Sequence, residues 1–365
     1  MMKNRFFFSF SLLFAFNSNA QLEELTPHEK AYKDSIAALN VKNASTTLSQ
    51  ECYNKGISLF GEKNYTAAIA EFAKSVKADP NFTAAYYNKG VAENEASNYK
   101  DAAKTLDELI NLDPSYSKAY FQRARALQGV NEYLKAEKDY EKSIQLDPKN
   151  PKAYYNYGTL KFLQIDYLEA IKHFTKAIEL DPNYAFAYND RGSCNRMLKN
   201  YPKAILDYEE AVKKNPKLAF VLNNIGTTKK NMKDYAGALA AFNRAISVDP
   251  NFPLAYNNRG ITLLEQGKME DAKKDFEKAI QLNPKYAAAL SNLSGIYFKQ
   301  KNYKSALEYA VNAVNADPAY ASAYVNRGMA KEMARDMEGA CSDWHKAKDL
   351  GADLGKTYYS ENCNN

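Results

Sequence analysis

An all-α fold, a solenoid stacked from about nine helical hairpins, is what the sequence predicts, and three observations predict it. Pro80, Pro114, Pro148, Pro182, Pro216, Pro250, Pro284 and Pro318 recur at an unbroken interval of 34 residues. Twelve residues before each stands an alanine (Ala68, Ala102, Ala136, Ala170, Ala204, Ala238, Ala272, Ala306), and Ala340 extends the series once more. Within the unit 151–184, Tyr154 and Gly158 are four apart, as are Ala170 and Phe174, with Ala177 three further on. Each half of the unit thus carries one apolar face at helical spacing. The break falls at Gln164, Ile165 and Asp166, and the second helix stops at Asp181, because a residue before proline is pushed out of the helical region.

Two series of side chains close each hairpin. Gly56, Gly90, Gly158, Gly192, Gly226, Gly260 and Gly328 on the first helix, with the alanines on the second, let two backbones approach where a larger side chain would hold them apart. Phe72, Leu106, Tyr140, Phe174, Tyr208, Phe242, Phe276 and Trp344 fill the gap between them, so this aromatic series is core and not a stacking surface for a ligand. The period and the small-residue, aromatic and proline pattern resemble the tetratricopeptide repeat family over residues 49–350, more than four fifths of the chain. Tyrosine (Tyr86, Tyr120, Tyr154, Tyr188, Tyr256, Tyr324) stands where that family often has tryptophan, and Arg191, Arg259 and Arg327 stand where it often has leucine. The resemblance implies a right-handed α-solenoid and protein or peptide partners.

Taken in order, residues 1–20 carry Lys3 and Arg5, an apolar run over 6–16 and a small-residue end before Gln21, the composition of a secretory signal peptide. The run is too short to span a bilayer, so no membrane span is expected once the signal is removed. The leader and the tail resemble those of exported Bacteroidetes repeat proteins, which implies the periplasm, the cell envelope or secretion. Residues 21–48 lie outside the repeat phase. A helix over 27–40 with Tyr32, Ile36 and Leu39 on one face is expected there as a cap, with 41–47 as a polar linker. The sharper alternative is that this cap folds back into the groove of the array. Residues 351–365 read as a C-terminal cap helix.

The formal charge of +6 falls to +4 when Lys3 and Arg5 leave with the signal, mild for this length, and no concentrated basic stripe points to nucleic acid. Lys55, Lys89, Arg123, Arg191, Arg259 and Arg327 share one phase, and each after Lys55 follows an aspartate of the preceding turn (Asp79, Asp113, Asp181, Asp249, Asp317), which predicts polar contacts between repeats. His28, His173 and His345 lie in separate regions without metal-ligand or triad spacing, and His173 and His345 read as solvated surface residues. No phosphate loop, nucleophile elbow or Cys-x-x-Cys pair is present, so no catalysis, metal or cofactor is expected. Cys52 and Cys194 occupy packing positions and should be buried and unpaired. Cys341 stands where other repeats have an aliphatic residue facing the next element; here that element is the cap helix ending in Cys363, which predicts a disulfide between them in an oxidising compartment.

One further series bears on function. Asn54, Asn88, Asn156, Asn224, Asn258, Asn292 and Asn326 share the phase two residues before the small residue of the first helix, with Gln122 and Asp190 in the gaps. Asparagine in mid-helix costs about half a kcal/mol relative to alanine, so its recurrence asks for a reason. The phase is similar to the asparagine ladder of the O-linked N-acetylglucosamine transferase repeat domain, which implies that extended peptides are held by their backbone. An amide donates and accepts at once and so suits any peptide bond. The neighbouring phase (Tyr53, Tyr87, Phe121 and Tyr155, then Asn189, Asn223 and Asn257) is expected to supply selectivity. The competing reading is that the asparagines bond across to adjacent repeats and set the pitch. The function expected is a non-catalytic binding scaffold of the cell envelope. A structural spacer or assembly subunit, and an envelope enzyme or carbohydrate-processing protein, are the rivals.

Overall fold

The structure, a computed structural model, describes residues 27–363; the signal peptide expected over 1–20 lies outside the described residues. Among those residues there are nineteen α-helices and no strand, in two compact units, the first ending at Pro114 and the second beginning at Ser115. The first unit holds α1 (Pro27–Gly61), α2 (Tyr65–Ala78), α3 (Thr83–Glu95) and α4 (Tyr99–Leu112). The second stacks the hairpins α5 (Ser117–Gly129) with α6 (Tyr133–Leu146), α7 (Pro151–Leu163) with α8 (Tyr167–Leu180), and α9 (Ala185–Met197) with α10 (Tyr201–Lys214). It continues through α11 (Ala219–Asn231) with α12 (Tyr235–Val248), α13 (Pro253–Glu265) with α14 (Met269–Leu282), α15 (Ala287–Lys299) with α16 (Tyr303–Ala316), and α17 (Ala321–Met333) with α18 (Met337–Asp349). The last helix, α19 (Asp353–Asn362), packs on α17 and α18.

Each hairpin closes on the series the sequence carries. The alanines from Ala136 to Ala340 are fully buried, and so are Tyr140, Phe174, Tyr208, Phe242, Phe276 and Trp344 to within one per cent. A Cβ at Gly226 would stand 2.6 Å from the Phe242 ring, which is why glycine holds that position. The turns between paired helices share one device. The residue after the first helix's cap is left-handed in every hairpin, Lys63, Ser97, Asn131, Ile165, Lys199, Lys233, Gly267, Lys301 and Arg335, and its own amide and the next one return to the helix end, as Ile165 N–H does to Phe162 O (3.0 Å) and Asp166 N–H to Lys161 O (2.9 Å). Second helices before α18 end at an Asp or Asn, and its side chain accepts the amide two residues on, for example Asn183 N–H to Asp181 Oδ1 at 3.0 Å; α18 ends at Leu350.

Helix α1 departs from expectation. Residues 41–47, expected as a linker, continue the helix without a break. Their hydroxyls are satisfied without leaving it: Thr46 donates to Lys42 O and Thr47 to Asn43 O, both at 2.9 Å, and Ser45 reaches the Ala78 carbonyl of α2. Ser49 binds Ser75 O at 2.9 Å on the same seam. The described part of this segment packs on α2 and α3. At the other end Cys341 and Cys363 are bonded, with Cα atoms 5.6 Å apart, and Tyr358 of α19 stacks on Trp344 at 5.1 Å. Cys52 and Cys194 are buried and free.

Candidate functional site

In the second unit consecutive first helices touch one another (α9 with α11, α11 with α13, α13 with α15, α15 with α17), whereas no two second helices do. The first helices therefore line the inner side of the stack and the second helices splay on the outer side. Four side chains per first helix, at steps of four, three and four, face inward together. On α9 these are Phe186, Asp190, Ser193 and Met197; on α11, Phe220, Asn224, Thr227 and Asn231; on α13, Leu254, Asn258, Ile261 and Glu265. All twelve keep solvent exposure, while Asn189, Asn223 and Asn257 beside them are buried.

The amide series runs along the middle of this surface. Asn224 Nδ2 donates to Asn189 Oδ1 at 3.1 Å, Asn258 to Asn223 at 2.9 Å, Asn292 to Asn257 at 2.9 Å, and Asn326 to Ser291 O at 2.8 Å. Each rung is thus tied to the residue preceding the previous rung; Asn224, Asn258 and Asn292 spend one N–H on the stack, and Asn326 also donates to Ser291 Oγ at 2.9 Å. Asp190 replaces an amide and reverses the polarity: it accepts from Tyr155 OH at 2.7 Å and from Asn189 Nδ2 at 2.8 Å. Burial pushes its carboxyl above the ordinary carboxylate range even though both bonds favour the ionised form. Asn156 donates to its own helix at Lys152 O (2.8 Å), and the buried Gln122 accepts from Arg125 at 3.0 Å. In the first unit Asn88 donates to Tyr53 OH at 2.9 Å, and Asn54 accepts from Gln50 at 2.9 Å.

The neighbouring phase is engaged with the adjacent hairpins, and its later members are buried. Tyr53 and Tyr155 spend their hydroxyls on the next rung, Phe121 is buried, and Asn189, Asn223 and Asn257 are the buried acceptors; Tyr87 is half-buried at the same phase. The reason is geometric, since a residue one step from the rung points about 100° away and into the next hairpin. The phase that does flank the rungs lies four residues before them: Lys118, Lys152, Phe186, Phe220 and Leu254. Phe186 and Phe220 stack at 6.2 Å across two repeats, and Phe186 remains 44% exposed. Spacing of i and i+4 on one helix was the signal that could have found them.

The basic phase also bonds differently from expectation. Arg123, Arg191, Arg259 and Arg327 pair with the acid sixteen residues on, across their own hairpin, to Asp139 (2.7 Å), Asp207 (2.7 Å), Asp275 (2.6 Å) and Asp343 (2.6 Å). The aspartates of the preceding turns are held by that turn's own amides, which keeps their carboxylates from the arginines. A contact to the preceding repeat does exist, from Arg191 to Thr175 (3.1 Å) and from Arg259 to Asn243 (2.7 Å). The Arg191–Asp207 pair floors an open outer cleft of about 610 Å³ between α8 and α10, walled by Leu168, Ile171, Leu198 and Leu206.

His173 is not a solvated surface residue. It is half-buried with its ring 4.0 Å from Tyr157, and burial holds its pKa below the ordinary histidine value. Tyr157 OH in turn lies 3.0 Å from both Glu137 and Glu141. His345 is exposed and pairs with Asp349 at 3.2 Å. Among the described residues no three His, Cys, Asp or Glu side chains are grouped to hold a metal ion, and no helix is long and apolar enough to cross a membrane.

Models described as tetratricopeptide repeat match residues 53–117, 117–150, 139–172, 173–205, 253–286 and 287–315, and one described as TPR repeat matches 228–267. No curated protein matches the chain. Among solved structures it is similar to a tetratricopeptide repeat protein from Parabacteroides merdae, at 20% identity over 67% of this chain and 97% of that one, with a TM-score of 0.55. It is also similar to the C-terminal part of a TPR repeat-containing protein from Cytophaga hutchinsonii, at 20% identity over 66% and 98%, with a TM-score of 0.53. At that identity the likeness speaks for the fold.

Proposed function

The chain belongs to the tetratricopeptide repeat family, and from that premise we propose that it is a non-catalytic scaffold of the cell envelope whose second unit holds an extended protein segment along its first helices. One observation carries the reading. Asn224, Asn258 and Asn292 each give a single N–H to the stack and retain exposure on the inner side, so their second N–H and their carbonyl oxygen are available to a peptide bond. With like helices roughly 10 Å apart and an extended chain rising about 3.3 Å per residue, each rung meets about every third residue of the segment. The Cys341–Cys363 bond and the leader composition support an exported, oxidising location.

The ties between rungs favour a second reading, in which the amides only set the pitch of the stack. The two readings differ in what the triple variant Asn224→Ala, Asn258→Ala, Asn292→Ala does. Each lost bond strands a buried Asn acceptor and costs about 1–3 kcal/mol, while each alanine returns about half a kcal/mol in helix propensity, so the fold should survive with a lower melting temperature. Panning a displayed library of random 12-residue segments on the mature protein and on the variant checks the rest. The groove reading expects retained phage on the parent and background on the folded variant. Equal retention by both would leave only the pitch-setting role.

A further inference from the structure

Resting on the groove reading, we infer that the inner face selects a segment that is acidic at one end and apolar over the following repeats. The wall beside the amide rungs changes character along the second unit. On α5 and α7 it is Lys118 and Lys152, both exposed. On α9, α11 and α13 it is Phe186 and Leu254, which are exposed, and Phe220, which is half-buried with one side against the core and still keeps solvent-facing area. The two phenylalanines stack on each other across adjacent repeats and make one continuous apolar wall. Such a run of exposed apolar side chains on an otherwise polar face marks a contact surface.

Charge fixes which end is which. Lys118 and Lys152 form no ion pair among the described residues, and the inner positions of their own helices, Gln122 and Arg125 on α5 and Asn156, Thr159 and Leu163 on α7, bring no carboxylate to answer them. One repeat further on Asp190 faces the groove beside Phe186, so an acidic side chain there meets a second carboxylate. A segment with carboxylates over α5 and α7, then aromatic or aliphatic residues at about every third position over α9, α11 and α13, meets opposite charge at one end and apolar surface at the other. The neutral amides beneath read the backbone and are indifferent to sequence, so the flanking wall is what discriminates.

The sequences retained in the library panning test this separately from the groove itself. On the parent, retained segments should be enriched in Asp or Glu at one end and in Phe, Leu, Ile or Met at about three-residue spacing beyond. A charge reversal, Lys118→Glu with Lys152→Glu, should weaken a synthetic segment of that kind about tenfold and lose most of that effect in about 0.5 M salt. Phe186→Ser with Phe220→Ser should weaken it about tenfold in any salt, with circular dichroism confirming an intact fold. Retained segments without acidic or apolar bias, or with a bias that neither variant alters, overturn the selectivity while leaving the groove reading standing. A library in which nothing depends on the amide rungs overturns both.

Discussion

Two kinds of hairpin alternate in the second unit. In α5/α6, α9/α10, α13/α14 and α17/α18 an arginine on the first helix is clamped by an aspartate sixteen residues on and lies over a tyrosine three residues back, as Arg259 does over Tyr256 at 5.5 Å. In α11/α12 the same two positions are Ile225 and Ala241, both buried, and in α15/α16 they are Leu293 and Tyr309. In α7/α8 they are Tyr157 and His173, stacked on each other. The ion-paired type thus recurs every 68 residues, twice the hairpin period. The backbone device is common to both types, so the shape of the repeat does not require the ion pair; an apolar pair fills the same space. What the ion pair adds is a tie between helices, since Arg191 and Arg259 also bond the preceding second helix. In the first unit Lys55 pairs with Glu71 at 3.0 Å, and Lys89 turns to Thr105 and Glu93.

The largest expected effect comes from breaking one member of a pair. Asp275 is 5% exposed, so Arg259→Ala strands a buried carboxylate and should cost about 3–5 kcal/mol in α13 and α14. Arg259→Ile with Asp275→Ala converts that hairpin to the apolar type and should return stability to within about 1 kcal/mol of the parent. Hydrogen exchange across both helices, with a denaturant melt, checks the contrast; a double variant as unstable as the single one would show that the two types are not interchangeable.

A smaller effect separates the turns. Ile165 joins α7 to α8 at φ +65° with 71% of its surface exposed, whereas the turns on either side carry Asn131 and Lys199. A β-branched residue there bears the left-handed penalty with no burial to offset it, so Ile165→Asn should gain about 1 kcal/mol in a denaturant melt. The same exchange at Lys199 should gain less.

The smallest effect is in the ladder of α9. Because burial raises the Asp190 pKa above 3.8, the native state still holds that proton at a pH where the unfolded chain has released it. Ionising Asp190 therefore costs stability as pH rises from about 3.8 through its native pKa, and the cost persists at neutral pH. Asp190→Asn removes it, with the Tyr155 hydroxyl turning from donor to acceptor. The melting temperature of the variant should exceed the parent's at pH 7, and the difference should vanish near pH 3; a constant difference across that range would exclude ionisation as its source.

Interval and periodicity alone determined the hairpins, their core aromatics and the placement of the Asn series, because helix formation and close packing depend on local spacing and side-chain size. The pairing of Cys341 with Cys363 was legible for the same reason, since one phase fixed which element each faces. Composition misled at residues 41–47, where Ser, Thr and Asn suggest a linker but hydroxyls bonding back along α1 and onto α2 keep the helix intact. The partners of the basic phase, the burial of His173, and which of two adjacent phases faces the groove were decided only in three dimensions. Phase within a helix gives a direction from its axis, but which neighbour lies in that direction depends on how one hairpin is set against the next.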